Sequence, residues 1–357
     1  MLKRWSAVLS ASALIGILGA SAHAQDWDRG VSLFNQKQYR EAIREFHAVL
    51  RANPDAWQAW YYIGASHFQL KAFEDTIDAF QSYIKSAGND ENAQAAGQYF
   101  TGYSHYQLKQ YDKAIPAFLT YVRLSEKLQQ KVDPTARAAL GRSFIFAERF
   151  NEAIPALTAA AAEMKTNANN FYFIGFAHHK LGRSDQAALA LNQAVAIDPK
   201  DADSLSLLGD IYLAQARQNP SAVKQAISVG ERLVAVKDDE TAWGILGQAY
   251  LLDRQYAKAA PLLDKFARGH ADSSAAWFNL GFALSRSSQW KPAAAALEQT
   301  VKLAPTNLAA LLEMGYVYES DKQHDKALAA YERAFEVSGR KDQTAREGIE
   351  RLKQSKP

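Results

Sequence analysis

Glycine recurs along this chain at a nearly constant step. Gly30, Gly64, Gly102, Gly141, Gly175, Gly209, Gly247, Gly281 and Gly315 stand 34, 38, 39, 34, 34, 38, 34 and 34 residues apart. Five of the eight intervals are the same, so the chain is read first as an internal repeat and only then for local structure. A repeat array is one elongated arrangement in which each unit touches its neighbours. The 357 residues therefore do not call for a division into two or three compact domains.

The surroundings of each glycine repeat with it. Directly before it stand Ile63, Leu140, Ile174, Leu208, Leu246, Leu280 and Met314; four before it, Trp60, Phe171, Leu205, Trp243, Trp277 and Leu311. Twelve residues after it comes a small side chain, as Ala42, Thr76, Ala114, Ala153, Ala187, Ala259, Ala293 and Ala327. Four further on is a bulky one, as Phe46, Phe80, Phe118, Leu157, Leu191, Leu263, Leu297 and Tyr331. The sixth unit departs, with Ala226 displaced by five residues. Apolar residues at three- and four-residue spacing predict two antiparallel helices per unit, and the glycine and alanine mark their closest approach. Asp112, Asn151, Asp185 and Asp325 precede the second helices and are expected to cap them.

These residues resemble the tetratricopeptide repeat, Trp-x2-Leu-Gly-x2-Tyr followed by Ala-x3-Phe and a closing proline, here Pro54, Pro199 and Pro305. The resemblance spans nearly the whole chain. It implies an all-α fold: a right-handed superhelical solenoid of about nine antiparallel helix pairs over 25–341, with a capping helix and tail at 342–357. Ile349 and Leu352 are the expected inner contacts of that cap. Three insertions interrupt the register, at 86–94, 125–133 and 215–223. They read either as loop variation or as a change of pitch that sets the first three units apart.

The first 24 residues read as a secretory leader: Lys3 and Arg4, an apolar stretch from Ala7 to about Gly19, then Ala22-His23-Ala24, with cleavage after Ala24. The apolar stretch is shorter than the ~20 residues that span a bilayer, and no integral membrane span is expected elsewhere. The leader looks bacterial, which makes the periplasm the expected location. The chain has no cysteine, so disulfides, thiolate metal sites and a lipid-bearing terminal cysteine are excluded. Loss of Lys3 and Arg4 with the leader brings the formal charge from +3 to about +1, too little for nonspecific nucleic-acid binding.

No enzyme is expected. The chain lacks His-Glu-x-x-His, a Gly-x-Ser-x-Gly elbow and a phosphate-binding loop, and its glycines stand singly inside helices. His67, His105 and His178 occupy the position three after the glycine where the repeat carries tyrosine, so they read as packing residues. Neighbouring His178 and His179 point about 100° apart on a helix. Neither metal nor cofactor is expected; Asp238, Asp239 and Glu240 read as a helix start.

In proteins of this family the first helix of each unit lines a concave face through its second, fifth, ninth, twelfth and thirteenth positions. Carried over, those positions give Tyr61 and Phe68, then Tyr99, Tyr103 and Tyr106, then Arg142. They continue with Tyr172, Phe176, His179 and Lys180, then Phe278, Phe282 and Arg286, and finally Tyr316. Tyr99, Tyr103 and Tyr106 share one helical face. Such rings offer contact area at low entropic cost, the character of a protein-binding surface, or else they pack on the next helix. Lys180 and Arg286 are placed to meet acidic groups of a partner. The carboxylate clamp of some family members is not expected at the N-terminus, where Trp27 and Val31 hold its positions. The resemblance thus implies a scaffold for polypeptide segments of cell-envelope proteins, with self-association as a further expectation. Carbohydrate binding, to peptidoglycan or exported polysaccharide, is the alternative.

Overall fold

The computed structural model describes residues 21–216 and 218–354; residues 1–20 of the expected leader and the last three residues of the tail lie outside them. Every regular element among the described residues is an α-helix. Repeats one to three are α1 (Ser21–Asn35) with α2 (Tyr39–Ala52), α3 (Gln58–Gln69) with α4 (Phe73–Ala87), and α5 (Glu91–Gln107) with α6 (Tyr111–Lys127). Repeats four and five are α7 (Pro134–Phe146) with α8 (Phe150–Glu163), and α9 (Ala168–Lys180) with α10 (Ser184–Ile197). Repeats six and seven are α11 (Ala202–Ala216) with α12 (Pro220–Val236), and α13 (Glu240–Leu252) with α14 (Tyr256–Gly269). Repeats eight and nine are α15 (Ser274–Arg286) with α16 (Trp290–Leu303), and α17 (Leu308–Ser320) with α18 (His324–Val337); α19 (Gln343–Gln354) follows. The chain divides into two compact bodies, residues 1–190 and 191–357, the division falling within α10.

Within most pairs the glycine does what its register predicts. A Cβ on Gly64 or Gly102 would lie 2.7 or 2.8 Å from the ring of Phe80 or Phe118. On Gly141, Gly247 and Gly281 it would meet Leu157, Leu263 and Leu297 at 2.5, 2.9 and 2.8 Å. Bulky plug and bare backbone thus interlock across the two helices, and Phe46, Phe80, Phe118 and Leu157 are fully buried as a result.

The turn between the two helices also repeats. Seven residues after the glycine the chain takes a left-handed conformation, at Lys37, Lys71, Lys109, Glu148, Gly182, Arg254, Ser288 and Lys322. The next amide then bonds back into the first helix, as Gln38 N to Leu33 O at 2.9 Å, which closes the helix end. This geometry corrects the expected caps. Asp112 and Asn151 lie inside the first turn of α6 and α8, whose N-cap residues Gln110 and Arg149 make no side-chain cap bond. Asp185 and Asp325 likewise sit within the first turn of α10 and α18, where a negative charge favours the helix dipole. Apart from Asn219 on α12, the side-chain caps belong to the first helices instead: Asp90, Asp133, Asn167, Asp239, Ser273 and Asn307 each accept a backbone N–H.

Two of the insertions hold each other. The first places its extra residues ahead of α5 and the second extends α6; Lys127 then pairs with Glu91, and Gln130 Nε2 donates to Asn92 Oδ1 at 2.8 Å. Asp133 closes the join. Its carboxylate accepts from Thr135 N and Oγ1 at 2.7 and 2.6 Å, while its own N–H donates to Tyr121 Oη at 2.9 Å. The third insertion lengthens α12, which Asn219 caps.

Repeat six solves its departure differently. Gly230 stands four after the displaced Ala226, so its second helix offers no plug. The next repeat supplies one: a Cβ on Gly209 would lie 2.8 Å from Ile245 Cγ2, and one on Gly230 3.0 Å from Leu246 Cβ. At the C-terminal end Tyr331 is gripped between Gly315 of α17 and Gly348 of α19, each with only 2.6 Å of room for a Cβ. Ala345 and Leu352 of α19 are buried, Ile349 packs at the margin, and Arg351 forks onto Glu319 at 2.6 and 2.7 Å.

Candidate binding groove

The expected groove residues fall into three groups. Tyr61 and Tyr99, placed at the surface by the repeat register, are 1% and 4% exposed and lie in the core. Tyr61 is covered because Phe100 of the following repeat lies edge-on against it at 6.0 Å and stacks on Phe80 at 4.5 Å. Tyr99 is drawn inward by Tyr121, 5.2 Å away, and by the Asp133 carboxylate, to which its hydroxyl donates at 3.4 Å. Phe68, Tyr103, Tyr106, Arg142, Tyr172, Phe176, Phe278 and Phe282 are half-buried. Lys180, Arg286 and Tyr316 are exposed. Tyr103 spends its hydroxyl on Thr135 Oγ1 at 2.8 Å, so of the Tyr99, Tyr103 and Tyr106 stripe only half-buried Tyr106 has a hydroxyl without a hydrogen-bond partner among the described residues.

In the first body the rings form a continuous row across repeats three to five. Tyr106 meets Tyr111 at 5.9 Å, and Tyr111 stacks on Phe146 at 4.6 Å and 24°. Phe146 meets Phe173 edge-on at 6.1 Å, and Phe173 touches Tyr172, which leans on Phe176 at 6.2 Å. Phe146 is 47% exposed, high for a phenylalanine that already stacks on a neighbour. Two cations flank the row: the Arg142 guanidinium lies 5.6 Å from the Tyr106 ring and Lys180 Nζ 5.3 Å from that of Phe176.

Phe146, Tyr111 and Phe173 were not among the expected residues. Phe146 holds the thirteenth position of repeat four, so the register alone pointed to it. Tyr111 opens a second helix and Phe173 is the sixth residue of its repeat; both lie outside the five positions carried over.

A second ring cluster lies in the other body. Phe278 leans on Phe282 at 6.2 Å, Tyr256 meets Phe282 at 6.0 Å, and Trp290 meets Tyr316 at 6.0 Å. Arg286 covers Phe282 and Tyr316 at 4.6 and 5.4 Å. Its Nη2 also reaches Glu313 at 3.0 Å, so the cation expected to meet a partner is engaged within the chain.

His67, His105 and His178 lie in the last turns of their helices. His67 Nδ1 is 3.6 Å from Asp75 and His105 Nδ1 is 2.8 Å from Gln110, while His178 Nδ1 is buried without a hydrogen-bond partner. Burial lowers the pKa of all three. Among the described residues no three His, Cys, Asp or Glu side chains converge as a metal site would require, and no helix is long and apolar enough to cross a membrane.

Comparison with known proteins agrees with this architecture. Two family models, both described as tetratricopeptide repeat, match residues 28–93 and 278–340 in one case and 145–211 in the other. No curated protein matches the chain in sequence. Among solved structures, YrrB, described as a TPR protein with an unusual peptide-binding site, is 18% identical; the match covers 55% of this chain and 98% of YrrB at a TM-score of 0.49. MamA is 22% identical over 49% of this chain and 93% of its own, at a TM-score of 0.43. The matched segments, the nine helix pairs and the interlocked glycines together make this chain a tetratricopeptide-repeat protein.

Proposed function

We propose that the chain is an exported, non-catalytic scaffold that holds peptide segments of cell-envelope proteins along the ring-lined face of repeats three to five. Tetratricopeptide repeats generally serve as protein-interaction scaffolds, and a fold alone does not select the partner. The observation that carries the reading is the row from Tyr106 to Phe176 with Phe146 half in solvent at its centre. Rings held by their neighbours lose little freedom when a ligand covers them, which is why aromatic side chains dominate binding energy at interfaces. The leader-like sequence of residues 1–24 supports export, with the periplasm as the compartment.

The test is capture from an envelope extract with the wild-type chain and with a Phe146→Ala, Tyr172→Ala form, followed by mass spectrometry. Loss of a defined set of polypeptides from the variant is expected, since each truncated anchor typically costs about 2 kcal/mol. Identical captured sets would overturn the groove assignment. N-terminal sequencing of the protein from fractionated cells tests export: a chain beginning at Gln25 in the periplasm is expected, and an intact Met1 in the cytoplasm would refute it.

A further inference from the structure

The groove of repeats three to five is built almost without acid. α7 and α9 contain no Asp or Glu, and the only one in α5, Glu91, is taken by Lys127. Of the carboxylates nearest in sequence, Asp133 is spent on Thr135 and Tyr99, Glu152 is held by Arg149, and Asp112, Glu148 and Asp185 stand at the turns and second-helix starts. Two cations nevertheless face the rings. Among the described residues neither Arg142 nor Lys180 has a carboxylate within 4.0 Å. Arg142 Nε is moreover shut away from solvent with no acceptor. A guanidinium N–H left in that state is costly, and the face of a tyrosine ring satisfies only the charge, not the donor.

Repeats eight and nine hold a comparable contact of cation and ring, at a different register position, that is completed by a carboxylate. There Arg286 lies over Phe282 and Tyr316, as Arg142 lies over Tyr106, but Glu313 meets its guanidinium at 3.0 Å and also accepts from Ser285 Oγ at 2.5 Å. One ring-and-cation site carries its own carboxylate and the other does not.

Building on the groove reading above, we propose that the face of repeats three to five selects peptide segments carrying Asp or Glu beside apolar or aromatic residues. A partner carboxylate fills at Arg142, and a second at Lys180, the place that Glu313 fills at Arg286. Rings supply the contact area, and the two cations without a carboxylate of their own supply the choice among sequences, because a neutral segment would cover them without a counter-charge.

A random twelve-residue peptide library selected on the full chain tests this. Enrichment of Asp and Glu among the selected sequences is expected. Changing the acid of a selected peptide to its amide should weaken binding about tenfold. The variants Arg142→Gln and, at an exposed position that folding does not depend on, Lys180→Gln should weaken it similarly and abolish the difference between acid and amide peptides. Selected peptides with no acidic preference, bound equally by both variants, would overturn this inference and leave the groove reading standing. Absence of any selected peptide, or selection that Phe146→Ala leaves unchanged, would overturn the groove reading itself. Binding of alginate oligomers with no peptide selected would overturn both in favour of an anionic glycan.

Discussion

Replacing Gly141 by alanine sets two effects of known size against each other. A methyl group there would lie 2.5 Å from Leu157 Cγ, 2.8 Å from Cδ2 and 3.2 Å from the Leu157 backbone nitrogen. Carbon atoms in good contact lie about 3.5–4.0 Å apart, so α7 and α8 must separate by roughly 1 Å or Leu157 must leave its rotamer. Leu157 is fully buried and the obstructing atom is its branch point, next to the backbone, so no flexible tip can yield. Overpacking of this kind costs about 1–3 kcal/mol. Alanine in a helix interior gains about 1 kcal/mol over glycine. The net expectation is a loss of about 1 kcal/mol. Gly30→Ala is the control, because there the nearest atoms are the rim of the Phe46 ring at 3.0–3.2 Å, so the ring need yield only a few tenths of an ångström. The helix gain should then offset most of the strain. Urea unfolding compares the two, and amide exchange of α7 and α8 localises the effect. Leu157→Ala alone should cost about 2–5 kcal/mol, and in the double variant the new methyl should recover part of it. A Gly141→Ala protein as stable as Gly30→Ala, or additive losses in the double variant, would refute the claim that the glycine is there for lack of space.

Glu148 occupies a left-handed turn at φ 57°, a conformation that costs a side chain about 1 kcal/mol and glycine nothing. Glu148→Gly should therefore raise stability by about 0.5 kcal/mol in urea melts, the remainder being lost to a more flexible unfolded chain. Burial lowers the pKa of His67, His105 and His178, so the unfolded chain takes up protons more readily as pH falls below 6.5. The melting temperature should hold above that pH and decline toward pH 5, and a His67→Tyr, His178→Tyr form should decline less. The Glu319 carboxyl is held below the usual range by its hydrogen bonds to Arg351. Docking of α19 is fully supported above pH 4.5 and lost as pH falls through the lowered value. Amide protection of residues 345–354 should fall first in acid, and Glu319→Gln should remove that dependence.

The helix pairs were legible because each repeat glycine except Gly209 is matched by a plug sixteen residues later, and steric matching of that kind is written in residue size. The turns were not. The left-handed position is filled by Lys, Glu, Arg or Ser as readily as by Gly182, so no residue type announces it, and the acids just beyond were misread as caps. The groove was half legible. A register of positions finds what one helix presents, but the burial of Tyr61 depends on Phe100 in the next repeat, and the central row depends on rings from α6, α7 and α9 meeting. The unmatched Arg142 donor could only be seen once its surroundings were known.

The exchanged plug of repeat six bears on where this chain can be cut. In repeats two to four each pair fills its own glycine gap from its own second helix, so such a pair can be removed or transplanted with its interior complete. Repeat six cannot, because Gly209 and Gly230 are both filled from α13. A boundary drawn after Val236 would leave an unfilled seam between α11 and α12, whereas one drawn after Gly269 carries the missing pieces with it. Repeats six and seven are therefore expected to unfold as a single module about 70 residues long, twice the step of the rest.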